Sequence, residues 1–296
     1  MLGDVTDARS YRVMGVLNVT PDSFSDGGRF LDVDAAIAHA RALVDEGADI
    51  LDVGGESTRP GAEPVAAERE LARVLPVLEG LAAAGVTETT QVSIDTCKAT
   101  VARAALDAGA SLVNDISALR ADPQMAGLVA DSGAGCCLMH MLGQPRTMQL
   151  AGGPQYKDVV DEVRAFLEER MLFAVREGVR EQRIMLDPGI GFGKTVEHNL
   201  TLLRRLPELA ALGRPLVVGT SRKSFLGQII AADEGQQEPV AAEQRLPGTI
   251  ATNVLALERG ASVLRVHDVA PVRAALAVAA ATLGERWTAR GTTRTS

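Results

Sequence analysis

Eight short apolar runs, each followed by a polar stretch and a helical pattern, constrain the fold of this 296-residue chain more than anything else in it. The runs cover residues 13–17, 50–53, 91–94, 111–113, 136–139, 184–186, 216–218 and 263–266. All are too short for helices and are bounded by turn formers, so they read as buried strands. Amphipathic helical patterns occupy 34–47, 65–84, 97–109, 122–132, 157–178, 196–212, 243–259 and 270–284, and several close on Gly85, Gly109, Gly178, Gly213 and Gly260. Strands alternating with helices imply a parallel sheet, and eight units fit a closed (β/α)8 barrel better than an open sheet. The expected layout is a single α/β barrel domain over 11–285, with a flexible segment at 1–10 and a flexible tail at 286–296.

The bulk properties allow this and exclude several partners. Hydrophobic residues make up 46% of the chain and charged residues 23%, enough for a sizeable core. Thirty basic residues against 38 acidic ones give a net charge of −8, which argues against nucleic acid or an anionic membrane as the main partner. No apolar run approaches the ~18 residues of a membrane span, and the first dozen residues hold no apolar signal region, so the expectation is a soluble, cytoplasmic chain. Cys97, Cys136 and Cys137 are odd in number and lack metal spacing; they read as small core residues.

Polar side chains recur where the strands end. Asn18, Glu56, Asp95, Asn114, His140, Asp187, Lys223, Arg265 and His267 all fall there. In a barrel those ends share one face, where barrel enzymes hold their sites. Taken singly, Asp95 or Asn114 reads equally well as a cap for the following helix.

Four stretches carry the chemistry. LDPGIGFGKT, from Leu186, resembles a phosphate loop but has Pro188 where that loop needs glycine. It leaves a strand-end carboxylate, Asp187, and a glycine turn projecting Phe192, suited to stacking on a flat ring or to packing. VGTSRKSFL, from Val218, should open a helix near Ser224, where free N–H groups favour an anion, or where Ser221 or Ser224 caps the helix. Arg265 and His267 alternate with Leu264 and Val266, so both point into the barrel, and Arg265 needs either a structural carboxylate or an anionic substrate. With Arg59 and Lys223 it should form a local positive funnel. Asp95, Asn114 and Asp187 form the opposite half, suited to a heterocycle that donates paired hydrogen bonds.

Together, MGVLNVTPDSFSDGG, DVGGESTRPGA, SIDT, VNDIS, MHM with PRTMQ, LDPGIGFGK, GTSRKSFLG and LRVHD resemble the dihydropteroate synthase family of pterin-binding barrels, from Val13 to about Leu283. The resemblance implies condensation of a dihydropterin methyl diphosphate with 4-aminobenzoate, releasing diphosphate. It places the pterin against Asp95, Asn114, Asp187, Lys223, Met139 and Phe192. The diphosphate would meet Asn18, Thr58, Arg265 and His267, with a magnesium ion on Asn18. Aminobenzoate would meet Arg59, Pro60, Phe192, Lys223 and Ser224. Lys223, Arg265, Asp95, Arg59 and Asp26 would carry the chemistry, the last two from closing loops, in a homodimer built through the later helices. Rival readings are a pterin-binding module without catalysis and a methyltetrahydrofolate-dependent methyltransferase. The SRKS and RPGA stretches weigh against the latter.

Overall fold

The computed structural model describes residues 10–20, 33–58, 61–143 and 153–284. Among these, eight strands run in chain order: β1 (Arg12–Asn18), β2 (Ile50–Gly54), β3 (Gln91–Asp95), β4 (Leu112–Asp115), β5 (Gly135–Met139), β6 (Ile184–Asp187), β7 (Val217–Val218) and β8 (Val263–Val266). Every pairing is parallel, in the order β6-β5-β4-β3-β2-β1-β8-β7. The two ends of that order meet through a bridge between Leu186 and Leu216, and the Leu186 N–H donates to the Pro215 carbonyl at 3.0 Å. The sheet thereby closes into a single-domain barrel.

Strand alternation sorts the apolar residues into two layers. Met14, Ile50, Leu112, Cys137, Met185, Val217 and Val263 point inward and pack as one buried cluster. Their neighbours Val13, Leu51, Val113, Cys136, Leu138, Leu186, Leu216 and Leu264 point outward into the larger core beneath the helices. Arg12 lies at the amino-terminal end of the barrel, where Nη1 donates to Gln91 Oε1 at 3.0 Å.

The helices are α1 (Val33–Asp45), α2 (Ala67–Ala83), α3 (Ala99–Asp107), α4 (Met125–Ser132), α5 (Val159–Arg176), α6 (Val196–Arg204), α7 (Ser224–Asp233), α8 (Leu246–Glu258) and α9 (Val269–Thr282), with short helical turns at Val86–Thr89 and Leu206–Ala210. Local signals set several starts: Asp158 accepts from the Val160 and Asp161 N–H groups before α5, and Thr195 with His198 forms a capping box before α6. The sequence pattern over 196–212 reads as one helix, yet the chain breaks at Arg205, because Pro207 removes an N–H that a continuous helix would need. Among the described residues, no helix is long and apolar enough to cross a membrane. Asp26, Arg59 and Pro60 lie outside the described residues.

The turn after β6 depends on glycine. Gly189 has φ +66°, and a Cβ there would sit 1.9 Å from the His140 carbonyl oxygen. Gly213 has a similar φ of +73°, but open space around it. Gly213→Ala should cost only the backbone strain, about 1–3 kcal/mol, and Gly189→Ala distinctly more, because backbone must also move. Urea unfolding of the two variants checks this; equal losses would contradict the crowding at Gly189.

Candidate active site

Strand register lays out the floor of the barrel mouth. Asn18, Gly54, Asp95 and Asn114 stand side by side across β1 to β4. Gly54 contributes no side chain to this row, and a Cβ there would sit 3.4 Å from that of Asp95. Arg265, level with Met14 on β8, reaches inward across the row. Its Nε donates to Asp52 Oδ2 at 2.7 Å and its Nη2 to Asp95 Oδ2 at 2.8 Å. Asn114 Nδ2 donates to the same Asp52 oxygen at 3.0 Å. Of the two partners open to Arg265 in the sequence, the structural carboxylate is therefore present, and there are two of them.

Asp52 is the residue that strand-end reasoning passes over. It is fully buried in the middle of β2, and its Oδ1 has no partner. The signal was a lone charge in the apolar run ILDVG, at the same parity as the inward-facing Ile50.

Asp187 and Lys223 form the other side. Asp187 Oδ1 accepts from the Gly189 N–H at 2.6 Å. The Lys223 ammonium stands 4.0 Å from the centroid of the Phe192 ring, a cation–π contact. Phe192 packs with Ile116, Met139 and Met141, and Cys97 leans on this cluster. The site thus pairs a hydrogen-bonding floor with an apolar wall. Met139 and Phe192 pack in that wall, together with Ile116 and Met141, which give no sign in the sequence beyond ordinary hydrophobicity.

Burial dominates the electrostatics. It raises Asp95 above the usual carboxylate range against the pull of Arg265, with Asp52 adding to the rise, and raises Asp187 against the Gly189 N–H and Lys223. It lowers Lys223 to about 8, assisted by Arg265 and opposed by Asp187 and Asp95. Arg265 behaves otherwise: burial works against its charge, but Asp52 and Asp95 outweigh it and hold the guanidinium above its ordinary value.

Lys194 is a further buried cation. Its Nζ lies 2.9 Å from His140 Nδ1 and donates to the Phe192 carbonyl at 3.1 Å, with its pKa pushed down by burial to about 7. Three acids, Asp52, Asp95 and Asp187, thus face three bases, Arg265, Lys223 and Lys194. Of the expected positive funnel, Arg59 lies outside the described residues; among the described ones the mouth pairs acids with bases, and Asp52 and Asp95 offset the charge of Arg265.

The remaining residues lie around the rim. His267 Nδ1 is 3.0 Å from Ser221 Oγ, whose hydroxyl also accepts the His267 N–H, and burial with Arg265 nearby lowers the ring to about 3. Burial thus favours the neutral ring in the unliganded site. Ser224 is exposed at the first position of α7, with Lys223 as the N-cap. Asn18 is half-buried at the end of β1, and Thr58 is half-buried early in the loop that follows β2. Glu56 does not enter the site; it pairs with Lys98, which also pairs with Glu70.

Arg265→Ala should remove more than a substrate contact. It leaves two buried carboxylates facing each other, a loss of about 3–5 kcal/mol. Urea unfolding at neutral pH should show it, and the deficit should shrink in mild acid, as the raised Asp95 carboxyl takes up a proton. A variant as stable as wild type would rule out the shared ion pair.

This arrangement matches known proteins closely. The profile of the pterin-binding enzyme family matches residues 14–267. The dihydropteroate synthase of Mycobacterium leprae (strain TN) is 50% identical over 260 residues, covering 87% of this chain and 88% of that protein. The Xanthomonas albilineans dihydropteroate synthase solved with 4-aminobenzoic acid superposes with a TM-score of 0.84 at 46% identity, over 94% of each chain. The same enzyme with 7,8-dihydropteroate gives a TM-score of 0.81 at 44% identity, over 94% of this chain and 95% of that one. Profile, sequence and architecture agree from β1 to β8, and the chain belongs to the dihydropteroate synthase family of pterin-binding enzymes.

Proposed function

We propose that the chain condenses a dihydropterin bearing a methyl diphosphate with 4-aminobenzoate, forming dihydropteroate and diphosphate. The observation that carries this reading is the joined floor of Asp95, Asn114, Asp187 and Lys223 beside the wall of Ile116, Met139, Met141 and Phe192. Carboxylates and an amide suit the adjacent N–H and amino donors of a pterin, and the apolar wall suits its faces. The X. albilineans enzyme solved with 7,8-dihydropteroate and with 4-aminobenzoic acid supports the same ligands here.

In the reaction the C–O bond to diphosphate breaks and its electron pair leaves with the diphosphate. The amine lone pair then forms the C–N bond, and the amine releases a proton. Asp95, Asn114 and Asp187 hold and orient the pterin, whose electron-rich ring supports positive charge on the methylene. Lys223 and the free Nη1 of Arg265 favour the departing negative charge. Thr58 and the neutral His267 offer hydrogen bonds to phosphate oxygens. The start of α7, with Ser224, receives the aminobenzoate carboxylate, and Phe192 and Pro60 flank its ring. Arg59 and Asp26 belong to the loops that exclude water from the methylene.

Magnesium fits this scheme through Asn18. Among the described residues no group of three or more His, Cys, Asp or Glu could hold a metal. A hard dication that keeps its waters and takes one amide oxygen plus phosphate oxygens needs no such cage. When bound it supplies the positive charge that the balanced mouth lacks. A homodimer through the later helices is part of the same reading, supported by exposed Leu255 on α8 and Val278 on α9, two helices that pack together; sedimentation as a monomer would remove it.

A diphosphate-release assay with both substrates tests the reaction. Release should require magnesium and 4-aminobenzoate and stop in excess chelator. Pterin binding without release would instead indicate a binding module. The pH profile gives a second test. kcat/KM, which reports groups of the free enzyme, should fall toward acid as Asp95 takes up a proton above the usual carboxylate range. It should fall again near pH 8 as Lys223 loses one. Lys223→Arg should remove the alkaline fall; its persistence would assign that limb elsewhere.

A further inference from the structure

The loop that follows β2 is fastened at its foot by charges that the reaction itself does not use. Lys98, the N-cap of α3, bonds through Nζ to both Glu56 Oε2 and Glu70 Oε2. The other oxygen of Glu56, Oε1, accepts the Val65 N–H at 3.2 Å. One carboxylate therefore ties the beginning of the loop to its end, nine residues on. Arg73 Nη1 donates to the Gly55 carbonyl at 2.6 Å, and a Cβ on Gly55 would sit 2.7 Å from Val74 Cγ1, so the loop leaves β2 pressed against α2.

The fastening is costly to build. Glu70 is fully buried, and its Oε1 has no partner. A buried carboxylate that is only partly satisfied works against stability, and an apolar residue at that point of α2 would pack at lower cost. Two acids also share one base. Burial opposes the charge on Lys98, but its bonds to Glu56 and Glu70 prevail and raise its pKa, so the lysine stays cationic across the working range. Lys98 stands three residues beyond Asp95 and Thr58 two beyond Glu56, which makes the cluster a direct link from the pterin floor to the loop.

We infer that Glu56, Lys98 and Glu70 form a positioning brace that sets the second loop against the floor, and thereby governs turnover without contributing to the seating of the pterin ring. This rests on the proposed reaction, in which that loop meets diphosphate and aminobenzoate.

The test compares Lys98→Met, Lys98→Arg and Glu56→Gln in the full chain. For Lys98→Met, the Kd for a pterin without diphosphate should stay within about twofold of wild type, while kcat/KM for 4-aminobenzoate falls by about tenfold or more, as misplacement of a distant contact does. Amide hydrogen exchange over residues 55–65 should quicken, most clearly at Val65, and Lys98→Arg should restore most of both. Glu56→Gln keeps the pairing of Lys98 with the buried Glu70, so it carries the test if Lys98→Met fails to fold; it should show the same split to a smaller degree. Unchanged exchange and kcat/KM in both Lys98→Met and Glu56→Gln would overturn the brace. So would a loss of pterin binding in step with kcat/KM, the mark of a merely structural role. Absence of diphosphate release by wild type would defeat the proposed reaction, while the exchange measurements would still decide the brace.

Discussion

Arg265 lies between Asp52 and Asp95, and the interior of the barrel is organised to make that contact possible. The two acids come from β2 and β3, and the arginine reaches them from β8 across β1. Such a span exists only because β8 pairs with β1, so the ring must close before the ion pair can form. In return, the guanidinium opposes the rise that burial imposes on the Asp95 carboxyl. Asn114 is fixed as a consequence: its amide nitrogen is committed to Asp52.

The same contact decides how the site treats a charged substrate. Arg265 without partners would draw a diphosphate by itself. Neutralised by Asp52 and Asp95, and set among as many acids as bases, it stabilises geometry more than it attracts anions. His267 adds no charge, since burial keeps its ring neutral. Lys223 and Arg265 then favour a departing diphosphate more by position than by net charge, which suits the proposed reaction, driven by leaving-group stabilisation more than by a strong base.

Much of this was legible in the residues, for physical reasons that also explain the gaps. The strands announced themselves because buried parallel strands need unbroken apolar runs, and each ended on turn formers. Asn114, Asp187 and Lys223 were readable because a strand end in a barrel faces the site. Asp52 escaped the same logic by sitting one turn of the pleat below the end. The break at Arg205 was hidden because Leu202, Leu203, Leu206 and Leu209 bury a continuous stripe on both sides of it. Glu56 looked like a site residue, since its diversion to Lys98 depends on Glu70, whose placement only the packed helix reveals.

The floor and the loops are held by different means, and the difference bears on catalysis. Asp95, Asn114 and Asp187 each have a fixed partner within 3.0 Å, so the floor exists before the substrate arrives. Preorganised dipoles of this kind cost no rearrangement at the moment of reaction. The second loop is instead anchored through Glu56, which pairs with Lys98 near the start of the loop and accepts the Val65 N–H near its end. A carbocation-like methylene is captured by water unless the site shields it, so a rigid floor and loops that exclude water serve the same proposed reaction.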